Sequence, residues 1–360
     1  MTDSRVTKAR TEPFGLTGSG QPVERIRLRS EQVQVDVITY GARVTSVLAP
    51  DQDGVLDEVI LGLADVAAYE ADRNYLGATI GRYANRIADG RFELDGHRFD
   101  IPANEGSNAL HGGTRGFDSM LWEAEVGEGA EVRLSRVSDD GEMGFPGRLE
   151  VTVTYRLDGP DLRVSYDART SAPTVVNLTN HMYVNLAGGG SVEDHLIQVD
   201  AEAFLPIDDH AIPTGEVRRV EGTPFDLRSP VRIGDRLRAA DEQLRRALGY
   251  DHTFVLGPVS DEETISAERQ MRRAARLEEP ASGRGLELWT DRPGVQVYTG
   301  NHLDGTTIGR DGTTYRQTDA CCLEPQHFPD APNHPAFPST VLRPGDVYRA
   351  RDVYRFTTDR

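Results

Sequence analysis

The sequence of 360 residues has a single lysine, Lys8, so that 39 of its 40 basic residues are arginine. Lys8 lies in a polar N-terminal segment, which is a poor setting for a lysine that forms a Schiff base or binds a phosphate. Only two cysteines are present, Cys321 and Cys322, and adjacent cysteines cannot form an ordinary intrachain disulfide. These shortages exclude lysine-dependent covalent catalysis, phosphate-loop nucleotide binding and a disulfide framework.

Long apolar runs are also missing. No run approaches the roughly 18 residues of a membrane-spanning helix, and residues 1–10 lack the apolar stretch of a secretory signal. The net charge of −18 argues against nucleic acid and anionic membranes as partners, because both require basic patches. Free thiols fit a reducing compartment. We therefore expect a cytoplasmic protein with a small neutral ligand, and the sequence leaves a monomer and a homodimer equally open.

Alternation of apolar and polar residues, which is typical of half-buried antiparallel strands, dominates the sequence. The clearest runs are residues 33–37, 149–155, 162–166 and 295–299. The pairs Asp53-Gly54 and Asp95-Gly96 predict hairpin turns. We expect an all-β protein, a large antiparallel β-sandwich with a few short helices. A polar N-terminal tail at residues 1–16 would precede a single domain at residues 17–360.

Helical signals are few. Residues 64–71 predict one short helix, and residues 235–248, which are followed by Gly249, predict the longest one. Residues 266–280 have helical propensity, but their second half also fits a hairpin with the residues that follow. We predict a strand for that second half.

Common cofactor and metal motifs are absent from the sequence. It has no phosphate loop, no dinucleotide-binding glycine motif, no nucleophile elbow, and neither H-E-x-x-H nor C-x-x-C. Residues 51–54, "DQDG", match only the start of a calcium loop, and a plain turn explains them. We expect no cofactor and no metal ion, and a reaction that consists of proton transfer.

Polar residues and tight turns concentrate in five stretches: "GRYANRIADGRF", "NEGSNALHGGTRGFDSMLW", "NLTNHMYVNL", "GYDHTF" and "CCLEPQHFPDAPNHPAFP". Most of these residues have an ordinary structural explanation, such as a surface ion pair for Arg86, a turn cap for His111 or a satisfied strand position for His181. Glu324 is harder to explain, because it follows an apolar strand and precedes Pro325, which holds it extended at a turn. Apolar neighbours would raise the pKa of its carboxyl group, as a general base near neutral pH requires.

One carboxylate, one imidazole and a ring of polar side chains suit a polyhydroxylated neutral substrate. Together with "PTGE", "PFDLR" and "VQVYTGNHLDG", the five stretches resemble the galactose mutarotase family, the aldose 1-epimerases, in the same order from about Thr17 to Tyr354. The resemblance implies the large β-sandwich of that family, the galactose mutarotase-like supersandwich. It also implies an isomerase that interconverts the α and β anomers of free aldoses. Galactose, glucose, xylose and arabinose all stay open as the preferred sugar.

The resemblance implies roles for single residues. Glu324 matches the general base, which takes the proton of the C1 hydroxyl, and His181 matches the general acid, which protonates the ring oxygen. The open aldehyde then closes from its other face. The matching sugar contacts are Asn85, Arg86, His111, Tyr183, Asp251 and Gln296. We also expect Asp251 to favour the imidazolium form of His181.

Three residues depart from the family pattern and leave a shift in substrate preference open: Met182 where serine is usual, Tyr83 where valine is common and Pro325 where threonine is common. Two alternatives to the free-aldose epimerase stay open. A hexose-6-phosphate 1-epimerase would need an arginine cluster for the phosphate. A catalytically silent sugar-binding module would not need both Glu324 and His181. Glycoside hydrolysis is disfavoured, because it uses two carboxylates across the bond that breaks.

Overall fold

The computed structural model describes residues 8–258 and 271–358. Strands dominate these residues, and the strands pair in antiparallel ladders. The strands of the described residues are, in chain order, β1 (Lys8–Leu16), β2 (Pro22–Arg29), β3 (Gln34–Ile38), β4 (Arg43–Pro50), β5 (Leu56–Glu58), β6 (Thr79–Ile80), β7 (Arg86–Ile87), β8 (Arg91–Leu94), β9 (His97–Asp100), β10 (Ala109–Leu110), β11 (Glu123–Val126), β12 (Glu131–Ser138), β13 (Leu149–Asp158), β14 (Asp161–Thr170), β15 (Thr174–Val175), β16 (Thr179–Asn180), β17 (Tyr183–Val184), β18 (Leu196–Val199), β19 (Ala201–Phe204), β20 (Arg218–Arg219), β21 (Val231–Arg232), β22 (Asp251–Leu256), β23 (Arg272–Glu279), β24 (Arg284–Thr290), β25 (Gly294–Tyr298), β26 (Asp304–Ile308), β27 (Thr314–Arg316), β28 (Cys321–Gln326), β29 (Val341–Leu342) and β30 (Tyr348–Thr358).

Three sheets carry most of the strands. One has five strands in the order β1-β2-β3-β4-β5, and one has nine in the order β11-β12-β13-β14-β30-β24-β23-β18-β21. The third has six strands in the order β17-β28-β25-β22-β19-β20. The main apolar core contains residues of both larger sheets, such as Val153 and Leu286 of the nine-stranded sheet and Val295 and Leu323 of the six-stranded sheet. The predicted all-β antiparallel sandwich is confirmed.

Helices are short. The described residues contain α1 (Val66–Ala71), α2 (Ile233–Leu237) and α3 (Glu242–Ala247), and the 3₁₀ turns Ala88–Gly90, Phe117–Ser119, Glu142–Gly144, Val192–Asp194 and Ala331–Asn333. The predicted single helix at residues 235–248 is wrong. The side chain of Asp241 accepts from the backbone N–H groups of Gln243 and Leu244 and so starts a second helix. No helix of the described residues is long and apolar enough to cross a membrane.

The N-terminal segment from Lys8 onward is a strand and not the tail that the sequence predicted. Strand β1 pairs with β2 from Lys8 opposite Arg29 to Leu16 opposite Pro22. Most of its side chains are exposed at this edge of the five-stranded sheet, so the segment lacks the apolar alternation that reveals other strands. Residues 1–7 lie outside the described residues, and a single domain at residues 17–360 stays a prediction.

Three local predictions are confirmed. Asp95 and Gly96, with φ values of 52° and 78°, close the hairpin between β8 and β9. Asp53 and Gly54 lie in the loop between the paired strands β4 and β5. The second half of residues 266–280 forms β23, which pairs with β24. Residues 266–270 lie outside the described residues.

Candidate active site

The floor of the candidate site is the outer face of strands β17, β28, β25 and β22, and we call it the sheet floor. Because side chains alternate along a strand, Leu323 packs in the main core while Cys322 and Glu324 lie on the other face. The register places Glu324 opposite Gln296, and Gln296 opposite Thr253. The ladder itself therefore sets the spacing of these polar groups.

A second row of the sheet floor lies two residues along the same strands. Asp251 is opposite Tyr298, Tyr298 is opposite Cys322, and Cys322 is opposite Tyr183. Gln296 connects the two rows, because its Nε2 donates to Oδ1 of Asp251 over 2.6 Å. Gln296 therefore orients the carboxylate of Asp251.

The position of Glu324 within its strand differs from the sequence prediction. Strand β28 continues through Pro325 to Gln326, so Glu324 lies inside the strand and not at its end. On one side of β28, the ladder with β17 covers only Cys321 and Cys322. Pro325 lies beyond this ladder, so its lack of a backbone N–H removes no hydrogen bond to β17. Proline is accepted in a strand at such unpaired positions.

Loops at residues 72–77, 81–86 and 108–113 form a wall above this floor, and we call it the loop wall. Asn85 and His111 exchange two hydrogen bonds of 3.1 Å: the N–H of Asn85 donates to Nδ1 of His111, and the N–H of His111 donates to the carbonyl of Asn85. A Cβ at Gly112, where φ is +93°, would lie 2.2 Å from the carbonyl oxygen of Gly81. The turn after His111 therefore requires glycine.

The bond from Asn85 fixes the chemistry of His111. A backbone N–H can only donate, so Nδ1 of His111 is an acceptor and the ring proton is on Nε2. Burial, with the charges of His181 and Arg86, lowers the pKa of His111 well below its usual value. His111 is therefore a neutral side chain with one donor.

Arg86 joins the loop wall to the sheet floor. Its Nε and Nη2 donate to the two carboxylate oxygens of Glu105 over 2.6 and 2.7 Å, a bidentate pair. Its Nη1 lies 3.8 Å from Oδ2 of Asp251. Two carboxylates thus compensate the buried guanidinium.

His181 and Glu324 lie side by side, with 3.8 Å between Nε2 and Oε2. The two residues are only 5% and 2% exposed. Burial, and to a lesser degree the charge of Arg43, lowers the pKa of His181 to about 3, against the opposing effect of the residue's own backbone. Burial and the charge of Asp251 raise the pKa of Glu324 well above its usual value, against the opposing effect of Arg86. Burial therefore disfavours the charged form of both side chains.

This electrostatic arrangement corrects one expectation. Asp251 does not hold His181 in its imidazolium form, because its charge acts on Glu324 and Arg86 instead. The charged group that acts on His181 is Arg43, which disfavours the imidazolium. The raised pKa expected for Glu324 is confirmed in direction.

A cavity of about 610 Å³ opens over these groups. The predicted site residues that line it are Asn85, Arg86, His111, His181, Tyr183, Asp251 and Glu324. Gln296 lies beneath Asp251 and is not among the lining residues. The three departures from the family pattern, Met182, Tyr83 and Pro325, do not line it either. Met182 packs in the main core, and the hydroxyl of Tyr83 donates to the carbonyl of Phe328.

Sequence reasoning missed several lining residues: Tyr75, Asn104, Glu105, Tyr298 and His302. Tyr298 had a signal, because it lies two residues after Gln296 in the same strand and shares its face. Glu105 and Asn104 lie at the start of the second polar stretch, but the sequence does not show their partners. Glu105 pairs with Arg86, and Asn104 bonds to Tyr75 and to the backbone of its own loop. Nothing in the sequence marked Tyr75, which lies in a loop with a φ of +58°.

Comparisons with known proteins agree with this geometry. The aldose 1-epimerase family model matches residues 24–355. The chain is 45% identical over 354 residues to the galactose mutarotase of Rattus norvegicus, covering 98% of this chain and 99% of that protein. It is 38% identical over 340 residues to the aldose 1-epimerase of Escherichia coli K12, covering 93% and 95%.

The fold gives the same result. The crystal structure of a galactose 1-epimerase from Lactobacillus acidophilus NCFM matches with a TM-score of 0.84 and 29% identity, covering 98% of this chain and all of that one. A homologue from Caenorhabditis elegans matches with a TM-score of 0.82 and 30% identity, covering 92% and 97%. The matches extend over nearly the whole of each chain, and this protein belongs to the aldose 1-epimerase family.

Proposed function

We propose that this member of the aldose 1-epimerase family is an isomerase of free aldoses such as galactose and glucose, with Glu324 as general base and His181 as general acid. The observation that carries the proposal is the 3.8 Å separation of Nε2 and Oε2 at the base of a polar cavity. The C1 hydroxyl and the ring oxygen of an aldose are bonded to one carbon. The two groups that exchange protons with them must therefore be close neighbours.

The reaction needs only proton transfer. Glu324 takes the proton of the C1 hydroxyl while His181 protonates the ring oxygen, the C1–O5 bond breaks, and the aldehyde forms. Rotation about C1–C2 and closure from the other face give the second anomer. Each positioned acid or base contributes about 10²–10⁴-fold to such a step.

The remaining lining groups suit sugar hydroxyls. His111 offers one neutral donor, as its bond from Asn85 requires. Asp251 keeps Oδ2 as an acceptor while Oδ1 is bonded to Gln296. Arg86, held by Glu105, adds a fixed charged donor. Donors and acceptors at fixed places orient a polyhydroxylated ring without a cofactor.

The pH dependence follows from the protons on the pair. Catalysis needs one proton shared by Glu324 and His181, and kcat/KM reports the free protein, so its pH profile is a bell. Below the bell, His181 takes a second proton. Above it, the pair loses the proton that burial holds on Glu324. The acidic limb therefore belongs mainly to His181 and the basic limb mainly to Glu324.

The charges around the cavity disfavour a hexose 6-phosphate. Six carboxyl groups line it, against the three guanidinium groups of Arg73, Arg86 and Arg115; the six belong to Glu70, Asp72, Glu105, Asp118, Asp251 and Glu324. Arg86 is already paired in a bidentate fashion with Glu105. A dianion would meet this acidic lining and the net charge of −18. Cytoplasmic residence stays a prediction, supported by the free, buried thiols of Cys321 and Cys322.

Polarimetry on freshly dissolved α-galactose, α-glucose and α-glucose 6-phosphate tests the function. We expect the purified protein to accelerate mutarotation of the free sugars and to act poorly on the phosphorylated one. Glu324→Gln should lose about 10²–10⁴-fold in rate, while Glu123→Gln, at an exposed position of β11, should not change it. A higher kcat/KM for the phosphorylated sugar, or full activity of Glu324→Gln, would contradict the proposal.

A further inference from the structure

The imidazole of His181 has an unusual setting for a general acid. No other residue that the structure describes is hydrogen-bonded to its ring nitrogens: Nδ1 is buried without a partner, and Nε2 is 3.8 Å from Oε2 of Glu324. Acids and bases of enzymes are commonly oriented by a hydrogen bond from a third group. Packing must therefore orient this ring.

Aromatic side chains supply that packing. The rings of Tyr183 and Tyr75 are nearly parallel to the imidazole of His181, at 20° and 26°, with centroids 5.0 and 6.1 Å away. The rings of His111 and Tyr298 are nearly perpendicular to it, with centroids at 5.3 and 6.1 Å. Stacked and edge-on arrangements of this kind are the preferred geometries of neighbouring aromatic rings. Together these contacts restrict rotation of the imidazole.

Tyr75 is the member of this group that comes from the edge of the loop wall. It is half-buried and lines the cavity, and its φ of +58° is a left-handed conformation that its contacts must maintain. Its ring also packs edge-on against His111, with centroids 4.6 Å apart. It therefore touches both imidazoles of the site.

The hydroxyl of Tyr75 is anchored. It accepts from Nδ2 of Asn104 over 3.3 Å, and the same amide group donates to the carbonyls of Leu110 and Gly113. Oδ1 of Asn104 accepts from the N–H of Leu110 over 2.7 Å. Asn104 thus ties Tyr75 to the loop that carries His111.

We propose that Tyr75 is a positioning residue, whose ring holds the imidazole of His181 beside Glu324 and whose hydroxyl is fixed by Asn104. The inference rests on the proposed function, in which His181 is the general acid. Tyr75 acts through His181, and its ring is the part that matters. The bond from Asn104 is secondary, because the ring is also held by His111.

Two variants separate the ring from the hydroxyl. Tyr75→Phe keeps the ring, and Tyr75→Leu removes it, while neither adds a branch at Cβ that would change the cost of the left-handed backbone. We expect kcat of Tyr75→Phe to stay close to that of the wild type. We expect kcat of Tyr75→Leu to fall by about 10–100-fold, with a smaller change in KM, because a misplacement of about 1 Å can cost that much.

The pH profile gives a second readout. The titratable and charged groups that act on His181 or face it are Glu324, His111, Tyr75, Tyr183, Tyr298 and, at longer range, Arg43. Loss of the ring in Tyr75→Leu lets water reach the imidazole, and the burial that lowers the pKa of His181 is reduced. The acidic limb of kcat/KM should move to higher pH in Tyr75→Leu and stay in place in Tyr75→Phe.

Three results would overturn the proposal. The first is a wild-type kcat with an unmoved acidic limb in Tyr75→Leu. The second is an equal loss of kcat in both variants, which would assign the effect to the hydroxyl. The third is an effect of Tyr75→Leu on KM alone, which would make Tyr75 a sugar contact only. An inactive wild-type protein would count against the proposed function instead. If circular dichroism shows that Tyr75→Leu is unfolded, Tyr75→Met, which is also unbranched at Cβ, takes its place.

Discussion

The sheet floor and the loop wall face each other across the cavity, but they are held in different ways. In the floor, ladder register sets the spacing of side chains, and its strands follow ordinary extended geometry. In the wall, left-handed backbone recurs at Tyr75 (φ 58°), Asn85 (φ 65°) and His111 (φ 54°). The wall is held by a few specific hydrogen bonds and close backbone contacts instead of a continuous ladder, so small changes should distort it more easily than the floor.

The largest expected effect comes from the proposed base and acid, Glu324 on the floor and His181 between the short strands β16 and β17. His181→Asn should lose about 10²–10⁴-fold in kcat, as expected for Glu324→Gln. The double variant should not lose the product of the two factors, because the groups act as a unit. Polarimetric kinetics measure all three proteins, with His97→Asn, at an exposed position of β9, as control. Losses that multiply would show that the two groups act independently.

The next largest effect should be a loss of folding stability when a close backbone contact of the wall is disturbed. Gly112→Ala places a Cβ 2.2 Å from the carbonyl oxygen of Gly81, whereas Gly106→Ala, at a φ of +59°, meets no atom within 4 Å. The positive φ alone costs about 1–3 kcal/mol in the free energy of unfolding. Gly112→Ala should cost more than Gly106→Ala and should also lower kcat, since it moves His111. Urea unfolding of both variants decides this, and equal losses would contradict the role of the close contact.

Removal of Arg86, which links the wall to the floor, should have an effect comparable to or smaller than that of Gly112→Ala. Arg86→Ala removes a charged donor and should weaken transition-state binding of free hexoses by about 1.5–3 kcal/mol. Arg86→Lys keeps the charge but cannot form the bidentate pair with Glu105, so it should recover only part of the loss. The ratio of kcat/KM values measures both effects. Arg91→Ala, at a half-exposed ion pair with Asp89, is the control.

The smallest expected effect is a displacement of the pH profile. Asp251 raises the pKa of Glu324, so Asp251→Asn should lower that pKa and move the basic limb of kcat/KM to lower pH. Asparagine keeps an acceptor oxygen, so sugar binding should weaken by only about 0.5–1.5 kcal/mol. The profile must be corrected for spontaneous mutarotation at each pH. A basic limb that stays in place or moves upward would remove Asp251 from this electrostatic role.

Much of the floor could be predicted from the sequence. Alternation predicted a strand around Gln296, the apolar residues 321–323 predicted one before Glu324, and a strand fixes which residues share a face. The position of Glu324 within its strand could not be predicted, because proline usually ends regular pairing. Only the short ladder of β17 explains why Pro325 is accepted.

The wall was predictable only through the family resemblance. Asn85 and His111 are close because of a loop geometry with two left-handed residues, and no periodicity encodes such a geometry. Which charged group acts on which titratable group was harder still to predict from the sequence. The sequence indicated that Asp251 and His181 belong to one site, but only the folded structure shows that the charge of Asp251 raises the pKa of Glu324 while that of Arg43 lowers the pKa of His181.

The neutral pair formed by Glu324 and His181 has a consequence for the reaction path. In the proposed reaction, Glu324 has gained a proton and His181 has lost one when the sugar ring is open. Burial disfavours the charged form of both side chains, so it favours this protonation state over the ion pair that begins the step. The site is therefore electrostatically complementary to the open-chain aldehyde rather than to either closed ring, so binding energy is directed to the species between the two anomers. In the proposed reaction, closure reverses both proton transfers, so Glu324 and His181 end each turnover in the protonation state in which they began it.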